Sequence, residues 1–367
     1  MKKFAACLFL VLFSFVFVGN VFASRGQEKS EKSRSEISWD DIAGEDEQGN
    51  PVRKGPGVFS AVQSKVVVAA ASVLSNELAN VILDNSGNYT FFQKQGSNAG
   101  NVEDRSGATM YIKAFGGQEK LDMKDYTKFD TTYYGAILGL DVDRKYTDNF
   151  DATYGIFVSY VGSQLKEEDF EDDKISQNSG FAGLRGNWYI GKLFFGAVLD
   201  YGFLANKVEI DAADNSKNYN TQSIGFSAKA GYNFEVAKRS FTIQPNVVFN
   251  SNYLITEEYT DTNDNKVKSD NIINIAVAPG LKLAKTLGKC WIVSAEGKYV
   301  FVSSNGDIKL ENVYNIGALP KTYYKDYVSC GLGIEKIWGY TVLHLKGHKT
   351  FCGRDGYMVN AGIEFKF

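Results

Sequence analysis

Proline, histidine and long hydrophobic runs are scarce in this chain, and each scarcity removes a class of answer. Only 5 prolines occur in 367 residues, which leaves room for long uninterrupted hydrogen-bonded ladders. The 2 histidines, His344 and His348, offer little material for a histidine-based site. On a strand they stand about 13 Å apart, too far for a metal pair or a triad. Gly-x-Ser-x-Gly, His-Glu-x-x-His and phosphate-loop patterns are absent, so no enzyme, cofactor or metal is expected. After the N-terminal region no stretch holds 18 uncharged apolar residues, so no spanning helix is expected. With 40 basic and 43 acidic residues, the chain is not a polycation aimed at nucleic acid. The 4 cysteines fall to three once Cys7 leaves with the N-terminal segment. An odd remainder (Cys290, Cys330, Cys352) excludes a fully paired framework, and its spacing matches no zinc pattern.

What is present begins with Met1-Lys2-Lys3, an apolar run from Phe4 to Val18, and Val21-Phe22-Ala23. This is the pattern of a secretory signal peptide, residues 1–23, cleaved after Ala23. Residues 24–56 are rich in Glu, Lys, Ser and Gly and read as a disordered, passenger-like segment. Residues 57–107 hold a linker helix and a connecting stretch. Val73, Leu74, Leu78, Val81 and Ile82 recur at helical spacing over Val58–Leu83. Ser72, Ser75, Asn76, Glu77 and Asn80 supply polar positions, and Asp84-Asn85-Ser86-Gly87 ends the helix.

Residues 108–367 repeat one unit, an alternating strand, a short turn, another strand and a long polar loop. About twelve strands result. In the last of them Tyr357, Val359, Ala361, Ile363, Phe365 and Phe367 form an apolar row opposite Met358, Asn360, Gly362, Glu364 and Lys366. A soluble β-sandwich shows the same alternation. Here, however, every strand carries an apolar face and no further chain remains to cover it. The expectation is an all-β fold, a closed transmembrane antiparallel β-barrel with the N-terminal helix in its lumen. Mean hydropathy of −0.23 agrees, because only alternate residues face lipid. Aromatic content of 14%, with 21 Tyr and 26 Phe, is assigned to girdles at the two interfaces.

The expected short turns lie near Tyr146–Phe150, Tyr189–Lys192, Val236–Ser240, Lys285–Lys289 and Lys336–Gly339. The expected long loops lie near Gln118–Thr127, Lys166–Ser176, Ala205–Asn220, Asn252–Ser269, Ser303–Tyr323 and Gly347–Gly356. Strand parity places Lys113, Asp141, Asp143, Arg185, Asp200, Lys229, Lys282, Glu296, Lys298, Glu335, Lys346 and Glu364 on the lumen side. These either form ion pairs across the pore and against the helix, or simply solvate the lumen. The acidic run from Lys166 to Lys174 is either a cation site or a solvated outer loop.

A final strand ending in Phe resembles the closing strand of a Gram-negative outer-membrane barrel. That resemblance implies that Tyr357, Ile363, Phe365 and Phe367 act as a signal to the barrel-assembly machinery. The ordered set of signal peptide, short segment, helix and twelve strands resembles the translocator domain of the classical (type V) autotransporters. Met110–Gly117 is similar to the family's opening strand, Tyr134-Gly135 with Gly139 and Asp141 to its second, Gly155–Tyr160 to its third and Gly183–Tyr189 to its fourth. Pro245 stands where the family often has a proline. The resemblance covers roughly residues 57–367. It implies a monomer exported to the cell outer membrane, in contact with its lipid, that translocates an N-terminal segment to the surface. Two departures stand out: about 33 residues precede the helix where a passenger of hundreds is usual, and the linker helix lacks an Asn-Asn cleavage dipeptide. The alternative is a stand-alone channel or structural barrel with a plug helix.

Overall fold

The structure is a computed structural model that describes residues 43–45, 51–53, 56–84, 107–124, 128–147, 149–167, 174–210, 215–236, 241–260, 266–288, 290–306, 308–311 and 323–367. The expected signal peptide, most of 24–56, the stretch 85–106 and the acidic residues 168–173 lie outside the described residues. Inside the segment that composition reads as disordered, Ala43–Glu45 and Pro51–Arg53 pair antiparallel, with Gly44 opposite Val52.

One helix, α1 (Pro56–Leu83), precedes the barrel strands. The strands are β1 (Gly107–Lys124), β2 (Lys128–Thr147), β3 (Phe150–Glu167), β4 (Lys174–Ile190), β5 (Leu193–Ile210) and β6 (Asn215–Tyr232). They continue as β7 (Phe241–Thr256), β8 (Ile272–Leu287), β9 (Trp291–Asn305), β10 (Tyr327–Trp338), β11 (Thr341–Cys352) and β12 (Arg354–Lys366). Each pairs antiparallel with its chain neighbours, and β12 returns to β1 with Ala361 opposite Ala114. Phe367 and Ala108 exchange backbone hydrogen bonds at the seam, so the ring has no open edge within the barrel.

Period-two side-chain alternation sorts the two faces. On β2, Leu138 and Leu140 are exposed on the outside, while Tyr133, Ile137 and Asp141 are buried inside. On β12, Tyr357, Val359 and Phe367 are exposed, while Met358 and Asn360 are buried. Tyr232 keeps its place in the outer row, opposite exposed Leu193, but is buried there, its ring 4.5 Å from that of Phe234. The turns at one rim are tight, and Gly191, Gly288 and Gly339 sit there at φ of 60°, 62° and 58°. A β-carbon disfavours this left-handed backbone, which is why glycine holds these corners.

The opposite rim differs from the expected long loops. β1 and β2 remain paired as far as Asp122 opposite Lys128, and β5 and β6 as far as Ile210 opposite Asn215. Gly347–Gly356 is no loop at all: Thr350 pairs with Gly356, and Gly353 alone separates β11 from β12. Above the lipid band both strand faces meet polar surroundings. Hydrophobic alternation therefore fades there while the backbone ladder continues.

The β7–β8 and β9–β10 connections also carry structure. Tyr259–Thr260, Lys266–Ser269 and Ile308–Glu311 form a three-stranded sheet. Its Val267 is buried with residues of α1, and Tyr259 stacks on Tyr219 at 4.6 Å. Tyr323–Tyr324 pairs with Met123 and Lys124, covering the tip of β1 that projects beyond the first residue of β12.

The helix fills the barrel. Val68, Ala71, Leu74, Leu78, Val81 and Ile82 share one buried cluster with the inward side chains Tyr111, Phe115, Tyr133, Phe157, Phe181 and Val198 of β1–β5. Aromatic residues therefore do more than form girdles, since many point inward. Several lie across a glycine directly opposite on the next strand: Tyr111 over Gly139, Phe115 over Gly135 and Phe157 over Gly183. A β-carbon on Gly139 would stand 2.1 Å from the Tyr111 ring.

Candidate functional site

The candidate site is the occupied lumen, built in three tiers along α1. The helix carries no basic residue in its last turn, so its terminal carbonyls need donors from elsewhere. The wall supplies them. Lys113 Nζ of β1 donates to the Val81 carbonyl at 3.3 Å, and Arg185 Nη1 of β4 donates to the Ile82 carbonyl at 3.4 Å. Both cations stand at the negative end of the helix dipole. Arg185 is held in turn by Asp141 at 2.5 Å and lies 4.7 Å over the Tyr111 ring. Lys113 stands 3.9 Å from Glu364.

The second tier holds Asp84, just past the helix. It pairs with Lys346 of β11, whose Nζ also lies 3.2 Å from Glu296 of β9. His348 Nδ1 stands 3.3 Å and Lys298 Nζ 3.9 Å from the same carboxylate.

The third tier centres on Arg354, whose side chain is 2% exposed. It reaches Glu77 of α1 at 2.8 Å, Glu119 of β1 through Nε at 2.9 Å, and the Tyr327 hydroxyl of β10 at 2.9 Å. Ser75 bonds Ser223 at 3.2 Å, and Asn252 donates to Asn76 at 2.8 Å. In its C-terminal half the helix thus meets a largely aromatic wall on β1–β5, from which Lys113 and Arg185 reach its end, and a polar, charged wall on β6–β12.

Of the other parity-assigned residues, Asp143 sits near the tight-turn rim, bonded to Thr153 at 2.8 Å and to Lys366 at 3.0 Å, away from the helix. Asp200, Lys229, Lys282 and Glu335 are buried. Lys229 lines a small gap, with room for little more than a water molecule, together with Asn80, Asp84, Asn246, Glu296 and Lys298. A neighbouring gap of similar size is lined by Glu77, Asn80, Asp84, Lys298, His348 and Asn360, among others. No metal-holding cluster occurs among the described residues.

Arg354 and Glu119 lie in the stretches expected as long loops, Gly347–Gly356 and Gln118–Thr127, so this link between helix and wall is not among the parity-assigned residues. The signal was there: Arg354, Gly356, Met358 and Asn360 continue the inward parity of β12, as Lys113, Phe115, Gly117 and Glu119 continue that of β1.

Helix direction follows from these contacts. Lys113 and Arg185 hold its C-terminal end near the rim where β1 begins. Gln177 Nε2 of β4 donates to the Val67 carbonyl at 3.1 Å, farther along the barrel. The helix also touches the three-stranded sheet at the other mouth. At about 1.5 Å per residue, its 28 residues run about 42 Å, more than the hydrocarbon thickness of about 30 Å.

Residues 110–320 match the family described as Autotransporter beta-domain. The fold is similar to the transport unit of the autotransporter AIDA-I from Escherichia coli, with a TM-score of 0.61 at 16% identity over 73% of this chain and 92% of that one. It is also similar to the translocator domain of the autotransporter NalP from Neisseria meningitidis, with a TM-score of 0.58 at 11% identity over 78% of this chain and 99% of that one. The beta domain of the Bordetella autotransporter Brka gives a TM-score of 0.55 at 15% identity over 70% and 98%. No curated protein matches the chain in sequence.

Proposed function

The chain belongs to the autotransporter β-domain family and is an outer-membrane translocator barrel, and from that premise we propose that it carries its own short N-terminal segment, residues 24–56, to the cell surface and holds it there by α1. Residues 1–23 direct export and are removed. The C-terminal strand, through Tyr357, Ile363, Phe365 and Phe367, is what the barrel-assembly machinery engages. The barrel works as a monomer and performs no catalysis.

The observation that carries this reading is the polarity of α1. Its C-terminal end is tied near the rim where β1 begins and Phe367 ends, and its N-terminal end lies toward the opposite mouth. A chain that leads out of that mouth and is anchored by a helix inside the pore fits a completed outward passage. The parity-assigned residues Lys113, Asp141, Arg185, Glu296, Lys298, Lys346 and Glu364 act here as the helix's wall contacts, directly or through one another.

Protease added to intact cells should trim residues 24–56 and leave the barrel whole. If the segment is cut only after the outer membrane is permeabilised, it lies in the periplasm and the translocation reading fails. The second reading, a plugged channel or structural barrel, is favoured by two buried ion pairs to the wall, Arg354 with Glu77 of α1 and Lys346 with Asp84 just past it. Planar-bilayer recordings separate the two uses of the pore. Deleting Val58–Leu83 should raise single-channel conductance while the barrel stays folded.

A further inference from the structure

On the outer face of β8–β10, at the tight-turn rim, one aromatic side chain stands between two lysines. Trp291 lies directly opposite Leu287 on β8 and Lys336 on β10. The Lys336 ammonium sits 4.9 Å from the Trp291 ring centroid. Lys285 is opposite Val293, which makes it the diagonal neighbour of Trp291, about 7–8 Å away between backbones. Trp291 is 42% exposed and Lys285 is exposed.

Neither lysine has a hydrogen bond or ion pair among the described residues. The carboxylates on these strands, Glu296 and Glu335, point to the inner face and are engaged there. Away from the rim the same outer face continues as Leu283, Ile334, Leu281 and Leu332, all exposed. Two uncompensated cations, an indole between them and an apolar track beyond have the layout of a phospholipid: phosphate, glycerol region and acyl chains.

We propose that this patch binds an anionic phospholipid, its phosphate between Lys285 and Lys336, its glycerol region against Trp291 and its chains along Leu283 and Ile334. The source is the periplasmic leaflet, because this rim holds the tight turns and both ends of the barrel chain. The proposal rests on the outer-membrane reading and is independent of whether residues 24–56 are translocated.

The test uses the full barrel in nanodiscs of phosphatidylcholine with a minor fraction of phosphatidylglycerol, with retained lipid read by native mass spectrometry. Phosphatidylglycerol should be retained preferentially, by about fivefold per lysine. The double variant Lys285→Gln/Lys336→Gln should lose the preference, and Lys120→Gln/Lys207→Gln at the opposite rim should keep it. Heat-modifiable electrophoretic mobility checks folding, and Lys285→Gln alone serves if the double variant fails that check. Equal retention of the two lipids by the wild type, or equal losses in both double variants, overturns the site. Displacement of phosphatidylglycerol by added lipopolysaccharide overturns the assignment to the periplasmic leaflet.

Discussion

Arg354 and Glu77 lie 277 residues apart in the chain and form a 2.8 Å buried ion pair inside the barrel. The same guanidinium holds Glu119 and the Tyr327 hydroxyl, so one side chain joins α1 to β1, β10 and β12. Arg354→Ala would leave two buried carboxylates without their cation, a loss of about 3–5 kcal/mol for a buried pair broken on one side. The helix should unseat before the barrel unfolds. Conductance should therefore rise and flicker, with a smaller loss in a detergent unfolding titration. Lys349→Ala removes an exposed pair with Asp355 and should cost about 0–1 kcal/mol. Equal effects of the two substitutions would rule out Arg354 as the helix clamp.

Leu138 is 47% exposed on the outer face of β2. Leu138→Arg should destabilise the barrel by about 2–4 kcal/mol if the site lies near the bilayer midplane. Leu138→Val should be tolerated. Urea titrations in lipid vesicles, followed by electrophoretic mobility, would show the difference.

Gly139 and Tyr111 face each other across β1 and β2, with no room for a β-carbon between them. Gly139→Val should slow assembly and cost about 1–3 kcal/mol through overpacking. Tyr111→Ala in the same chain should recover part of that loss by vacating the space. Additive losses in the double variant would exclude a steric origin.

Cys290, Cys330 and Cys352 are free and exposed at different heights on the barrel. Cys290 lies in the tight β8–β9 turn, Cys330 on the outer face of β10, and Cys352 at the opposite rim. Bridging needs Cα atoms within about 7 Å, whereas the two rims are some 25 Å apart. An impermeant maleimide on intact cells should label Cys352, and Cys290 only after permeabilisation of the outer membrane. Labelling in the reverse order would invert the proposed orientation, and an intramolecular Cys290–Cys352 bridge would break the topology.

Much of this architecture is legible in residue order. The alternation of Tyr357 to Phe367, the paired pattern in β2 and the five turn positions yield twelve strands and their facing, because a strand's period of two is a local property. The helix is legible for the same reason, through the spacing of Val73, Leu74, Leu78 and Val81. The outer rim is less so. Once both faces of a strand meet polar surroundings, the hydrophobic signal vanishes although the backbone pairing persists, and Gly347–Gly356 then passes for a loop.

Sequence by itself determined the closed β-barrel, the two faces of each strand and a helix ahead of them, since each rests on periodicity within a few residues. Tertiary structure alone decided that Arg354 meets Glu77, that Lys113 and Arg185 cap the helix from the wall, and that Lys346 takes Asp84. It also decided that Tyr259–Thr260, Lys266–Ser269 and Ile308–Glu311 form a sheet at one mouth. Those contacts join residues tens to hundreds of positions apart. Their partners are set by barrel register and by how far α1 sits along the pore, and neither quantity is written in any local pattern.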